Sequence, residues 1–181
     1  MVKSPRLLAI DPGSNCGYSW IDVNQPVTPA LKAIHHQSGM WDLAKKRFGD
    51  HGMRYLELRR RLLEVNPDFV VFEEVRFRHK STDAARMYYG IVATIETWCK
   101  DRGVSYTGIV TGDVKKRATG KGNSGKPPII EAANEFFEID PPLSVAKTSK
   151  DDNIADAMWM CQLGIELYGE VITAREEKDD E

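Results

Sequence analysis

Carboxylates stand at three places in this sequence from which side chains could reach a common point. Asp11 ends the apolar run Leu7-Leu8-Ala9-Ile10, Glu73 and Glu74 end the run Phe69-Val70-Val71-Phe72, and Asp151, Asp152 and Asp156 open a long apolar stretch of helical character. Strand ends and a helix start can converge on one edge of a sheet. Carboxylates gathered there repel one another, so the cluster makes physical sense chiefly when divalent cations neutralise it. Oxygen ligands suit Mg²⁺ or Mn²⁺. Two such ions, about 3.5–4 Å apart, would stabilise the attacking and leaving oxygens of an in-line displacement at phosphorus.

Each acid also has a plainer reading. Asp11 before Pro12-Gly13 could initiate a turn. One of Glu73 and Glu74 is a bystander, because adjacent strand residues point to opposite faces. Asp152 could cap the helix. Asp156 lies a turn inside it between Ala155 and Ala157, where packing gives no reason for an acid. Helical spacing puts Asp152 (four residues back) and Asn153 (three back) near the Asp156 face, with Asp151 further round. Gly120 to Lys126 satisfies the G-x-x-x-x-G-K part of a P-loop, but Pro127 stands where the magnesium-binding Ser or Thr belongs, which argues against an NTPase. His35, His36, His51 and His79 show no ligand spacing and read as surface or packing residues. The basic segment Arg76-Phe77-Arg78-His79-Lys80 follows Glu73-Glu74 directly, so Arg76, Arg78 and Lys80 could hold phosphates beside the acids. Phe77 in the same segment reads as a packing residue, with a wedge at opened DNA as the alternative.

The elements that must position these residues are legible as a sequence of strands and helices. Leu7–Ile10 and Gly17–Ile21 read as a strand and its returning partner, and the segment 31–41 as a third strand. Met53–Val65 reads as an amphipathic helix with a basic face of Arg54, Arg59, Arg60 and Arg61. Phe69–Phe72 is apolar throughout, as a strand buried on both faces should be. A long helix from Thr82 to Lys100 stops at Gly103, and Tyr106–Val110 is a short strand. The stretch from Gly112 to Lys126 is rich in Gly, Lys, Thr and Ser. Pro127-Pro128 opens a helix over Ile129–Phe137, and a last helix runs from Asp152 to Tyr168. The fold class expected is α/β, a mixed sheet with early antiparallel pairing and later crossovers.

The chain has 181 residues, enough for one compact domain. We expect that domain to span residues 1–170, with an acidic, frayed tail over 171–181. With 41% hydrophobic and 29% charged residues, the composition excludes wholly disordered, collagen-like and disulfide-dense classes. Cys16, Cys99 and Cys161 are odd in number and widely spaced, so neither a disulfide framework nor a cysteine zinc site is suggested. No apolar run approaches the roughly 20 residues that span a bilayer, and the N-terminus lacks the pattern of a secretory signal; both point to the cytoplasm. The net charge of -2 hides segregation along the chain. Residues 45–126 hold 18 Lys/Arg against 10 Asp/Glu, and residues 127–181 hold 4 against 14. A basic middle suits a polyanion such as nucleic acid.

Four stretches together resemble the RuvC-type Holliday junction resolvases of the RNase H-like nuclease superfamily, in particular their phage-encoded relatives. They are Leu8-Ala9-Ile10-Asp11-Pro12-Gly13-Ser14 with Gly17-Tyr18, Val71-Phe72-Glu73-Glu74-Val75, Val114-Lys115-Lys116 through Thr119-Gly120-Lys121-Gly122 to Lys126, and Asn153-Ile154-Ala155-Asp156-Ala157. The resemblance implies a five-stranded RNase H-like sheet, three antiparallel strands followed by parallel ones, flanked by helices. It also implies that Asp11, Glu73 and Asp156 are metal ligands, and it selects Glu73 over Glu74. Lys115 and Lys126 match family lysines near the scissile phosphate and the junction backbone. Where the family usually carries Asp or His three residues before the last aspartate, this chain has Asn153; Asp152, a carboxylate one step earlier, is favoured as the fourth ligand.

The expectation is therefore an endonuclease using Mg²⁺ or Mn²⁺, two ions per site, that resolves four-way DNA junctions by paired nicks leaving 5′-phosphate ends. Asp11, Glu73, Asp152, Asp156, Lys115 and Lys126 would form the site. Arg76, Arg78, Lys80, Lys115, Lys116, Arg117, Lys121 and Lys126 would contact DNA. A homodimer follows from the resemblance and from substrate symmetry, with the helix face near Tyr88, Tyr89 and Ile91 as a candidate interface and the monomer core as an equal account of those residues. Rival readings are a nuclease for RNA–DNA hybrids, flaps or forks, and a junction binder with impaired cleavage, motivated by Asn153. A nucleotide-binding module of the actin and sugar-kinase type would need a second lobe for which 181 residues leave no room.

Overall fold

The computed structural model describes residues 4–23, 36–44, 50–75 and 81–179, with side chains through residue 172. Its elements are β1 (Arg6–Asp11), β2 (Asn15–Asp22), β3 (Gln37–Asp42), α1 (His51–Val65), β4 (Phe69–Glu74), α2 (Thr82–Arg102), β5 (Ser105–Val110), α3 (Thr111–Thr119), α4 (Lys126–Phe136) and α5 (Asp151–Asp179). The strands form one sheet in the order β3-β2-β1-β4-β5. β1, β2 and β3 pair antiparallel, whereas β4 lies parallel to both β1 and β5. This is the mixed five-stranded sheet flanked by helices that the resemblance implied.

β1 and β4 are apolar throughout because helices cover both sides of the sheet. Leu7, Ala9, Phe69 and Val71 join Val114, Ile129, Ile130, Ala133, Phe137 and Trp159 in one core, on the side of α3, α4 and α5. Leu8, Ile10, Val70 and Phe72 join Leu58, Leu62, Ile91, Ile95 and Trp98 in the other, on the side of α1 and α2. The period of two then decides where the terminal acids go. Asp11 and Glu73 continue the odd-numbered series toward α5, and Glu74 falls on the α2 side, against Gly108 of β5.

The helices depart from the sequence expectation in four respects. First, the basic face of α1 is largely spent: Arg60 and Arg61 pair with Glu57 and Glu64 at 2.6–3.0 Å, the i,i+3 and i,i+4 spacing that places such groups side by side, and Arg54 is wholly buried, while Arg59 stays exposed. Second, the start of the Gly- and Lys-rich stretch is helical, as α3, with Val114 in the core and Gly120 closing it at φ 76°. Third, α5 continues to Asp179 rather than ending at Tyr168. Fourth, α4 begins at Lys126, three residues before the expected start. The third strand begins at Gln37; the earlier part of the expected strand lies outside the described residues.

α5 is buried nearly all round through Ala155, Ala157, Met158, Trp159, Met160, Cys161 and Ile165, as a helix between a sheet and a second helix must be. Trp159 Nε1 donates to the carbonyl of Ile129 on α4 at 3.3 Å. Gly17 sets how closely α5 approaches β2, since a Cβ there would lie 1.9 Å from the Asn153 carbonyl oxygen. All three cysteines are free and buried. His36 is a packing residue, its Nδ1 3.1 Å from Ser19 Oγ and its ring edge-on to Phe137. At the candidate dimer face, Tyr88 and Ile91 belong to the core and Tyr89 is 59% exposed.

Candidate active site

Ile10 and Phe72 are in register across the parallel pair β1–β4, so Asp11 and Glu73, the next residues, leave the sheet side by side. Their carboxyl groups lie close enough to raise the Asp11 pKa together. Thr111, where β5 turns into α3, donates its hydroxyl to Glu73 Oε1 at 2.6 Å. The Tyr88 hydroxyl donates to the Glu73 carbonyl oxygen at 3.0 Å and accepts from the Val75 N–H at 2.9 Å, which fixes the backbone on either side of Glu74. On β2, Gly17 pairs with Asp11, and the first turn of α5 rests on that glycine. Asp152 and Asp156 are thereby brought over the ends of β1 and β4.

The electrostatics record this convergence. The Asp11 carboxyl is held well above the usual carboxylate range, by burial first, then by the charges of Glu73 and Asp156, its hydrogen bond with Glu73, and the charge of Asp152. Asp156 is raised to about 7 by burial, with Glu73 and Asp152 adding repulsion and Lys115 and Lys126 opposing it. Lys126 bonds Asp152 across the gap between α4 and α5. That bond pushes the ammonium above its ordinary value, with further attraction from Asp156 and Asp11. Two cations and four carboxylates thus share one field at the carboxyl ends of β1 and β4, where ligands bind in open α/β sheets.

The structure separates the neighbouring acids by task. Asp151 accepts the Ser144 N–H at 2.7 Å, and its own N–H goes to Ser149 Oγ at 3.1 Å. Those two residues organise the start of α5, so Asp152 is not its cap; its carboxylate faces Lys126 and the other acids. Asn153 presents its backbone to Gly17. Of the basic residues, Lys115 and Lys126 lie by the acids, while Lys116 and Lys121 are exposed. Arg117 is engaged within the fold: its guanidinium bonds Glu166 of α5 at 2.7–3.0 Å and lies 5.2 and 5.4 Å from the ring centres of Phe136 and Trp159. Arg76, Arg78 and Lys80 lie outside the described residues. The Gly120–Lys126 segment follows a helix, not a strand, and Thr119 and Ser124 pin it by their hydroxyls at 2.5 Å; this is not the strand–loop–helix of a P-loop.

Sequence reasoning missed Thr111 and Tyr88. Nothing in the Thr-Gly pair after β5 marks it as a partner of a distant glutamate, and Tyr88 reads as one more member of the apolar side of its helix. The donor set of the cluster, carboxylate oxygens alone, is of the kind that hard divalent cations take. Among the described residues, no three His, Cys, Asp or Glu side chains are drawn together as ligands of one ion.

No family model matches the chain, and no curated protein sequence does. Solved structures do. RuvC of Thermus thermophilus superposes with a TM-score of 0.60 at 20% identity, over 92% of this chain and 96% of that one. The T. thermophilus RuvC in complex with a Holliday junction substrate gives a TM-score of 0.60 at 17% identity, over 87% and 91% of the two chains. The yeast mitochondrial Holliday junction resolvase Ydc2 gives 0.59 at 14% identity, over 96% and 85%. No described helix is long and apolar enough to cross a membrane.

Proposed function

From a RuvC-type resolvase fold, we propose that this chain is a divalent-metal-dependent endonuclease that resolves four-way DNA junctions by paired nicks, acting as a homodimer in the cytoplasm. The observation that carries the reading is the meeting of Asp11, Glu73, Asp152 and Asp156 with Lys115 and Lys126 at one edge of the sheet. Structural neighbours that are junction resolvases support the substrate class. The homodimer rests on symmetry, because two equivalent strands must be cut and a two-fold assembly offers two equivalent sites.

Asp11, Glu73, Asp152 and Asp156 would hold Mg²⁺ or Mn²⁺, which supplies Lewis acidity at phosphorus and activation of the attacking water. The chain's own groups do the rest. Thr111 fixes the Glu73 carboxylate by its hydroxyl, and Tyr88 fixes the backbone that presents it. Lys126 holds Asp152 in place before substrate arrives. A phosphate entering the cluster offers the same ammonium a second anion, so Lys126 and Lys115 are placed to stabilise charge developing on the phosphoryl oxygens or to protonate the leaving 3′-oxygen. The products are a 3′-hydroxyl and a 5′-phosphate.

The test is cleavage of a labelled immobile four-way junction beside a matched linear duplex, with Mg²⁺, Mn²⁺ or EDTA. Symmetric nicks in the junction alone, lost in EDTA, are expected. Equal cutting of flaps, forks or RNA–DNA hybrids would move the substrate assignment, and binding without nicks in either metal would replace the enzyme by a junction binder.

A further inference from the structure

α1 carries an arginine that neither the carboxylate cluster nor the ion pairs of its own helix account for. Arg54 is fully buried, yet its Nε and Nη2 have no hydrogen-bond partner, and Nη1 meets the thioether sulfur of Met87. Thioether sulfur is a weak acceptor, and a buried guanidinium without an anion is costly. Arg60 and Arg61, on the same helix, spend their donors on Glu57 and Glu64. Position 54 instead keeps two kinds of donor for which the described residues provide no acceptor.

Arg54 lines a cavity of about 510 Å³, between Pro12-Gly13-Ser14 on one side and Val75, Met87 and Tyr88 on the other. The first wall follows Asp11 directly in the chain, and Val75 follows Glu73-Glu74. The cavity therefore opens at the same carboxyl ends of β1 and β4 as the acid cluster, on the α1–α2 side of the sheet, with α5 and its aspartates on the other. The residue after Arg54 ties this part of α1 to α2. The Tyr55 hydroxyl donates to the Arg86 carbonyl at 3.1 Å, and the Tyr55 ring occupies the place a Cβ on Gly90 would take, 2.1 Å away.

The fork of a guanidinium matches two oxygens of one phosphate. The cavity is larger than a bare phosphate needs, and its apolar wall suits the sugar carbons on either side of a phosphodiester. Asp83 at the rim works against a free, multiply charged anion more than against a singly charged linkage held in a strand. We propose that Arg54 grips a backbone phosphodiester of the strand being cut, one or two nucleotides from the scissile linkage. This rests on the nuclease reading above and adds a positioning site to it.

The test uses the full chain with Arg54→Gln and Arg54→Met, bound to a four-way junction in EDTA over a range of salt, with Tm measured alongside. Loss of an unpaired buried charge should leave Tm unchanged or raise it. Affinity should fall on the order of tenfold to a hundredfold, and the slope of log K against log salt should shrink by about 0.9. A scan of single methylphosphonate linkages should find one position, beside the cleavage point, where the neutral linkage weakens wild type and leaves Arg54→Gln unaffected. Equal affinities, slopes and scans for wild type and variants would overturn the proposal. So would a fall in Tm large enough to explain the lost binding, or stabilisation of wild type alone by inorganic phosphate with DNA affinity unchanged, which marks a free-anion site. Failure of the wild type to bind any DNA would overturn the nuclease reading and this inference with it; wild-type binding that the variants match overturns this inference alone.

Discussion

Replacing Asp156 by Asn should make the metal-free protein more stable at pH 8, the reverse of what removing a structural carboxylate does. Burial and the charges of Glu73 and Asp152 raise Asp156 from 3.8 to about 7. The folded chain thus binds a proton more readily than the unfolded one, so the stability carried by the protonated form is complete below pH 4 and is lost as pH rises through about 7. A displacement of that size corresponds to roughly 4 kcal/mol of disfavoured charge at pH 8. Relaxation of the cluster, and the loss to Asn of the attraction of Lys115 and Lys126, leave about 1–3 kcal/mol for the variant to recover. At roughly 2–4 °C per kcal/mol for a chain of this size, Asp156→Asn in EDTA at pH 8 should melt several degrees above wild type. The difference should vanish near pH 4, and Mg²⁺ should raise the Tm of wild type but not of the variant. Calorimetric or fluorescence melts at pH 4, 6 and 8 make the comparison. A variant that melts below wild type in EDTA at pH 8 would refute the reasoning and make Asp156 an ordinary helix residue.

Glu73→Gln should abolish cleavage while Glu74→Gln retains it within a few-fold, because the two side chains leave β4 on opposite faces; gel assays of both variants on one junction decide this. Lys126→Met frees Asp152 and removes a cation from the site, so kcat should fall on the order of tenfold to a thousandfold with junction affinity changed much less, read from single-turnover rates and binding curves. Gly17→Ala forces a methyl onto the Asn153 carbonyl and should cost about 1–3 kcal/mol, seen in chemical denaturation, with cleavage lost through displacement of the first turn of α5.

The sheet was legible because β1 and β4 are covered on both faces, so their apolar runs stand out and the acids ending them stand out more. The sequence also placed Asp156 as an anomaly, a carboxylate between two alanines inside an apolar helix. Three features were hidden for physical reasons. α3 offers little pattern of its own, with Val114 its one buried residue; it is held by tertiary ties such as Arg117 to Glu166. The basic face of α1 shrinks to Arg59 because charge counting does not register that Glu57 and Glu64 lie one turn from Arg60 and Arg61, nor that Arg54 is buried. Thr111 and Tyr88 reach Glu73 across 38 and 15 positions of sequence, distances over which no local pattern speaks.

The central claim, that one carboxylate cluster serves paired cutting of a four-way junction, is tested most directly on a supercoiled plasmid that extrudes a cruciform. Cutting of both strands within one complex predicts linear product cut at the cruciform base in Mg²⁺, and none in EDTA or with Asp156→Asn. A plasmid that the protein binds yet leaves supercoiled in both Mg²⁺ and Mn²⁺ would contradict it.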